Sequence, residues 1–323
     1  CFFILARAAT DPDLFGHILF GQDILERGSI PRVDEYAFTN EGYRWINHEW
    51  LAEVSFALFY GTFGNFGLHM LRLLVAMGIM AALYRGSVRS GLEPLRGGIL
   101  MVLVALLLVN GTVTVRPQLF TYVFLLLLLL VLAAVERGRP RLVWFVPLIL
   151  MVWINFHGGV LAGLILVGAW TAGRWIAWLL PDDSASRRER LKGPLTATAV
   201  LALSPIAMLA NPYGWELMRF LFETATVARP DIVEWIPTPM NTRRGRIYLL
   251  LTACSLLALH WTRSDRNVPL LVTFAAIVVL PLLAVRHIPL FAIGVGVFLP
   301  EHLASALTRL ESRPEERPTP QSG

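Results

Sequence analysis

The chain has 323 residues, of which 55% are hydrophobic and only 16% charged, whereas a soluble domain is about 25% charged. Its mean hydropathy is +0.59, and charge-free stretches at 97–115 and 119–135 approach the ~20 residues that cross a bilayer, which excludes an ordinary globular protein. A net charge of +5 does not indicate nucleic acid, because the arginines sit in short loops and no basic surface interleaved with aromatics accompanies them.

Apolar runs bounded by charge, glycine or proline predict spans near 1–10, 66–84, 97–114, 118–135, 143–155, 158–180, 195–210, 246–262, 268–285 and 288–306. The first reads as the end of a helix that begins before Cys1. The expected architecture is all-α, a polytopic bundle of about ten spans forming one domain over 1–306, with a disordered cytoplasmic tail at 307–323. Cys1 and Cys254 both fall in apolar segments, which argues against a disulfide framework or a thiolate metal site.

Every second loop is basic. Arg85, Arg89 and Arg96, then Arg137, Arg139 and Arg141, then Arg187, Arg188, Arg190 and Lys192, then Arg263 and Arg266, and last Arg309 and Arg313 occupy alternate connections. These five predict the cytoplasmic side, against one dissenting cluster of Arg243, Arg244 and Arg246. The opposite face then holds segment 11–65, the turns at Arg116 and His157, segment 211–245 and the turn at Arg286-His287. Within 11–65, apolar residues recur at helical spacing from Leu14 to Leu25 and again from Trp50 to Phe59, as they do over 215–222. That pattern predicts amphipathic helices lying in the membrane interface.

Asp11-Pro12-Asp13 stands at the outer end of the first span, followed by His17. Two carboxylates one residue apart suit a divalent cation or a general base, while the bland alternative is Asp13 as an N-cap. His48-Glu49 lies between two interfacial tryptophans, where an anchor needs neither group. Arg116, Asn155 to His157, and Arg286-His287 each put polar groups at a tight turn between spans; such groups usually face a cavity, and arginine there fits a phosphate, with snorkelling as the alternative. Glu234-Trp235, after the Arg229-Pro230-Asp231 turn, is open between a substrate contact and an interfacial seat.

This arrangement resembles the GT-C superfamily of membrane glycosyltransferases, which use polyprenyl-phosphate sugars, and within it the aminoarabinose-transferase and protein O-mannosyltransferase branch. The carrying residues are Asp11-Pro12-Asp13, Gly28-Ser29-Ile30-Pro31, Glu49-Trp50-Leu51, Phe63-Gly64-Asn65-Phe66-Gly67-Leu68 and Leu71-Arg72, so the likeness is strongest over about 10–75. The chain is also similar to bacterial multi-span proteins with D-x-D-L-[WF]-x-H, H-E-W-L, R-P-Q and N-x-H-G-G. The resemblance implies a bacterial inner-membrane enzyme with a periplasmic active face. Asp13 or Asp11 would be general base or metal ligand for a divalent cation (Mg or Mn). Arg116, His157, Arg286, His287, His48 and Glu49 would bind substrate. Its partners would be a polyprenyl-phosphate-linked sugar, membrane lipid and an acceptor that is a glycan, lipid or protein. The rival readings are a lipid or solute transporter or flippase, which predicts charge at mid-membrane, and a non-catalytic assembly subunit.

Overall fold

The computed structural model describes residues 1–39, 41–181, 186–227 and 231–312. Among these residues it is helical, with no strand apart from an isolated bridge between Val33 and Arg44. The α-helices are α1 (Phe2–Leu5), α2 (Leu14–Arg27), α3 (Trp50–Arg89), α4 (Pro94–Thr112), α5 (Gln118–Glu136), α6 (Phe145–Trp153), α7 (Val160–Leu179), α8 (Arg187–Arg190), α9 (Lys192–Met208), α10 (Trp215–Thr226), α11 (Arg243–Trp261), α12 (Val268–Leu283) and α13 (Ile288–Glu311).

Among the described residues, six helical stretches are long and apolar enough to cross a membrane: Trp50–Arg89, Pro94–Thr112, Gln118–Glu136, Val160–Leu179, Arg187–Met208 and Val285–Glu311. Pro140–Trp153 and Val268–Leu283 are apolar but shorter. The chain is therefore a membrane-embedded helical bundle. Its central post is α13, packed against α3, α4, α5, α11 and α12. Residues such as Ile288, Phe291, Ile293 and Val295 bury nearly every side of its first turns, the pattern expected of a helix that is apolar all round.

Three local expectations change. Residues 6–10 are not helical, and α1 is only four residues long. Its free carbonyls are taken instead by Arg72, a buried arginine of α3 whose Nη1 donates to Leu5 O at 3.0 Å, Arg7 O at 2.8 Å and Thr112 O at 2.7 Å. Unpaired carbonyls at helix C-termini attract a cation, and one guanidinium here serves the ends of both α1 and α4. Second, the two helices expected here, one from Trp50 and one through the following span, are both present but meet end to end: α3 is two helical segments that abut at a kink, Gly64 (φ 58, ψ −150), a conformation essentially restricted to glycine. Third, α13 continues to Glu311, so 307–311 is helix and not tail; Arg313 and the rest of that tail lie outside the described residues, as do Arg229 and Pro230.

Helix α2 covers the residues its periodicity predicted and ends at Gly28 in the left-handed region (φ 63). The basic loops gather at one end of the bundle. There Arg137 pairs with Glu301 at 3.0 Å and Arg96 with Glu311. Glu136 receives Trp170 Nε1 at 2.7 Å and Asn267 Nδ2 at 2.9 Å, with Arg174 Nε 2.7 Å away. The other end carries the acidic segment and the three polar turns.

Candidate functional site

At the acidic end, segment 11–65 is docked onto segment 211–245. Arg32 donates to Pro212 O at 2.9 Å and lies 5.0 Å over the Tyr213 ring. The Tyr213 hydroxyl in turn accepts from Asn47 N at 3.0 Å, and Arg44 pairs with Glu216. Beside this docked region, residues from three separate parts of the chain surround one cavity of about 460 Å³, bounded by Asp13, His17, Phe20, Glu49, Arg116 and Gln118.

Arg116, in the turn between α4 and α5, is the hub of one wall. Its Nε donates to Asp11 Oδ2, its Nη1 donates to Glu234 Oε1 at 2.7 Å, and its Nη2 stands 4.0 Å from Asp13 Oδ2. Burial opposes its charge, but the bond to Asp11 and the charge of Glu234 more than compensate and raise its pKa further. Asp11 is buried, and its other oxygen accepts from Asp13 N at 2.9 Å. Both its oxygens are thus engaged within the protein. Asp13 differs: it holds the N-cap position of α2, as the bland alternative expected, but its carboxylate makes no cap hydrogen bond, and its side chain is 71% exposed at the cavity.

Glu49 and Glu53, one turn apart at the start of α3, form the opposite wall. Glu53 is buried; its Oε1 is 3.0 Å from His17 Nδ1, and its Oε2 accepts from Asn47 Nδ2. With a carboxylate at Nδ1, the histidine carries a proton there, and His17 Nε2 faces Glu49 Oε2 at 4.0 Å. Burial alone would lower the pKa of His17. The Glu53 hydrogen bond and the charges of Glu49, Glu53 and Asp13 outweigh it and raise the value. The approach of α2 to α3 is set by Gly21, where an added Cβ would lie 2.1 Å from Glu53 O.

His157 completes this wall from behind. Its Nε2 is 3.4 Å from Glu49 Oε1, while its Nδ1 faces Gly159 N–H at 2.9 Å and Thr121 Oγ1 at 2.8 Å. A backbone N–H aimed at Nδ1 leaves no room for a proton there, so the tautomer carries it on Nε2, toward Glu49. Thr121 Oγ1 also accepts from Trp153 Nε1 at 3.1 Å, which leaves its own proton for Nδ1. Burial, followed by the positive charges of His48, Arg286 and His17, drives the His157 pKa well below the ordinary range. His157 is consequently neutral, with its Nε2–H on the side of Glu49. His48 Nε2 lies 3.6 Å from the same Glu49 oxygen, its ring against Phe220. Asn155 ties the α6–α7 turn to α3 by accepting from Trp50 Nε1 at 3.1 Å and donating to Ala210 O at 3.0 Å.

Of the residues expected from the sequence, Asp13, Glu49 and Arg116 line the cavity, while Asp11, His48 and His157 stand directly behind them. Arg286 does not line it. Its guanidinium lies 3.6 Å over the Trp235 ring, beside the Glu234 that holds Arg116. His287 turns away and donates from Nδ1 to Leu280 O at 2.9 Å, closing the end of α12. Four residues of the site carried no role in the sequence reading: His17, Asn47, Glu53 and Thr121. Glu53 and His17 did leave a signal, since Glu49–Glu53 and Asp13–His17 are both four residues apart and so share helix faces.

No protein-family model matches this chain, and no curated protein or solved structure matches it either.

Proposed function

We propose that the chain is an inverting membrane glycosyltransferase that takes a sugar from a polyprenyl phosphate at the extracytoplasmic face of a bacterial inner membrane. One observation carries the reading: an exposed carboxylate, Asp13, and a guanidinium, Arg116, face the same cavity beside an interfacial helix, at the end opposite the arginine-rich loops. In this scheme the shorter α6 and α12, together with α11 and the segment at 1–10, complete a GT-C-like bundle of about ten spans.

The acceptor hydroxyl oxygen attacks the anomeric carbon and Asp13 takes its proton. The bond from that carbon to the phosphate oxygen breaks, and the polyprenyl phosphate departs with the electron pair. A phosphate leaving group needs charge stabilisation more than a proton, which the free Nη2 side of Arg116 supplies, with Arg286 at the rim. The cavity floor is hydrogen-bonded and preorganised by the Asn47, Glu53 and His157 contacts described above. The α2 side of the cavity, next to Phe20, faces the lipid from which the polyprenyl chain enters.

A divalent ion held jointly by Asp11 and Asp13 does not fit this arrangement, because both Asp11 oxygens already accept bonds from Arg116 and Asp13 N. A conduction role is disfavoured by the charge distribution. Among the described residues the buried charges are Asp11, Glu53 and Arg72; the first two belong to this end, and Arg72 is committed to helix-end carbonyls.

The test uses membranes containing the overexpressed chain, supplied with radiolabelled polyprenyl-phosphate sugars one at a time. Release of polyprenyl phosphate is read, so the acceptor need not be known. Release above control membranes, lost in Asp13→Asn and cut at least tenfold in Arg116→Lys, is the expected result. No release from any donor, or full activity of Asp13→Asn, would sink the proposal.

A further inference from the structure

The basic end of the bundle holds a second cavity, of about 110 Å³, which sugar transfer at the opposite end leaves unused. It is enclosed by the last residue of α5, the later turns of α11 and α13, and the beginning of α12. Its lining changes character with depth. Along α12 it passes from Asn267 to Phe274, along α13 from Glu301 to Phe298, and α11 adds Leu259 and Ser255. The step from Asn267 to Phe274, at about 1.5 Å per helical residue, makes the slot about 10 Å deep.

The floor is apolar. The rings of Phe274 and Phe298 meet there with centroids 5.6 Å apart, and the buried Ser255 hydroxyl already donates to Leu251 O at 2.7 Å. A trapped water needs roughly two to four polar partners, which this floor does not supply. An unfilled space, in turn, deprives its apolar walls of contacts. Hydrocarbon meets both conditions.

The mouth has the opposite chemistry, and it is acidic although the loops around it are basic. Arg137 pairs with Glu301 at 3.0 Å, and Glu136 is held by Trp170, Asn267 and Arg174. Asp265 is exposed at the rim and makes no hydrogen bond or ion pair with another described residue. Its loop is nevertheless fixed, because Arg263 N and Ser264 N both donate to Ser305 Oγ of α13, at 2.8 and 3.2 Å. Two nearby arginines are turned elsewhere. Arg266 Nη2 donates to His260 O at 3.2 Å and Arg309 Nη1 to Trp261 O at 3.3 Å, which closes the end of α11. The mouth thus offers the Arg137 guanidinium to a negative group and the carboxylates of Asp265 and Glu301 to a positive one.

We propose that this slot binds one phospholipid with a primary ammonium headgroup, from the leaflet next to the basic loops. A stretch of one acyl chain lies on the floor against Phe274 and Phe298, the phosphate meets Arg137, and the ammonium meets Asp265 and Glu301. The cavity is too small for a whole lipid, so the remainder lies along the outside of the bundle. A primary ammonium has three N–H donors to share between two carboxylates. A quaternary ammonium has none, and a glycerol headgroup carries no positive charge. The site is at the other end of the bundle from Asp13 and Arg116, so it stands or falls separately from sugar transfer.

The test loads purified chain in detergent with dioleoyl phosphatidylethanolamine, phosphatidylcholine or phosphatidylglycerol and counts retained lipid by native mass spectrometry. One phosphatidylethanolamine should be retained, at least about tenfold more tightly than either other lipid, as one charge-assisted hydrogen bond allows. Asp265→Asn combined with Glu301→Gln should abolish that preference. Ser255→Phe, which fills the floor, should lose the retained lipid, and melting without added lipid establishes that each variant is folded. A second measurement needs no variant: phosphatidylethanolamine with a photoactivatable acyl chain should cross-link mainly to 255–274 and 297–302. Equal retention of the three lipids, failure to retain any, or a preference that survives the double substitution overturns the proposal. So do undiminished retention in folded Ser255→Phe and cross-links spread evenly over the bundle.

Discussion

Replacing Arg72 by methionine isolates the most unusual buried contact in the bundle. Methionine keeps an unbranched apolar stem as far as the position of Nε and has no donors. Arg72 Nη1 makes three bonds of 3.0 Å or less to Leu5 O, Arg7 O and Thr112 O, and Nη2 stands 3.4 Å from Ala6 O. Hydrogen bonds from a charged donor are worth about 1.5–3 kcal/mol each, and a buried acceptor left unpaired costs about 1–3 kcal/mol. Three charged-donor bonds at that rate sum to roughly 4.5–9 kcal/mol, but relief from burying a guanidinium, whose Nε has no partner, offsets part of this. The expected net destabilisation is about 3–5 kcal/mol, with Arg72→Lys between, because one ammonium cannot reach all three carbonyls. The assay is unfolding by SDS in mixed micelles followed by tryptophan fluorescence. A methionine variant as stable as the parent would refute the view that this arginine holds α1 and α4 together.

Gly64→Ala should destabilise by about 1–3 kcal/mol in the same assay, since it forces a Cβ into a glycine-only backbone conformation; Gly78→Ala, at an ordinary helical site with open space around it, serves as the control and should be neutral. Gly21→Ala should cost a similar amount and increase the spacing between α2 and α3, read as a lower His17 pKa by NMR titration. For Asp11 and Arg116, a double-mutant cycle with Asp11→Asn and Arg116→Gln should give a coupling of about 1–3 kcal/mol; additivity would mean that the pair contributes no coupling. The depressed pKa of His157 has a definite sign. Below about pH 6.5 the unfolded chain takes up a proton that the folded chain refuses, so stability falls with acidity through this residue. His157→Gln, measured between pH 7.5 and 5.5 by equilibrium unfolding, should lose that part of the slope; an unchanged slope would contradict a buried neutral histidine.

Much of this organisation was legible because it rests on local pattern. Charge-free runs disclosed the bundle, alternating arginines disclosed its two ends, and Leu14, Ile18, Leu25 and Gly28 gave α2 with its stop. What escaped depends on partners distant in sequence. The stretch 60–65 read as a connection between two helices, and in the structure it shrinks to a single non-helical residue, Gly64. The carbonyls after Leu5 read as helical because nothing nearby announced that Arg72, far along the chain, would receive them. Asp13, with His17 following it, stood out in the sequence, but Asp11 was given an equal share. Only the placement of Arg116 separates the two aspartates, by occupying one and leaving the other open. Glu53 is one of nine acidic residues in segment 11–65; its distinction is burial between His17 and Asn47, which composition does not reveal.

The Arg72 contact has a consequence for how this chain tolerates length changes. The carbonyls it holds belong to Arg7 and Thr112, and each is followed four positions later by a member of the ion pair, Asp11 and Arg116. The two short leads run side by side, joined by Ala9 N to Val113 O at 2.9 Å. They act as a matched pair of rulers measured from a common clamp. A residue inserted into the connection between α3 and α4 is absorbed at the far end of the bundle, whereas one inserted at 8–10 or at 113–115 unpairs Asp11 from Arg116 and opens the wall of the cavity. Homologues of this chain should therefore vary freely in the length of their basic loops and keep both four-residue intervals unchanged.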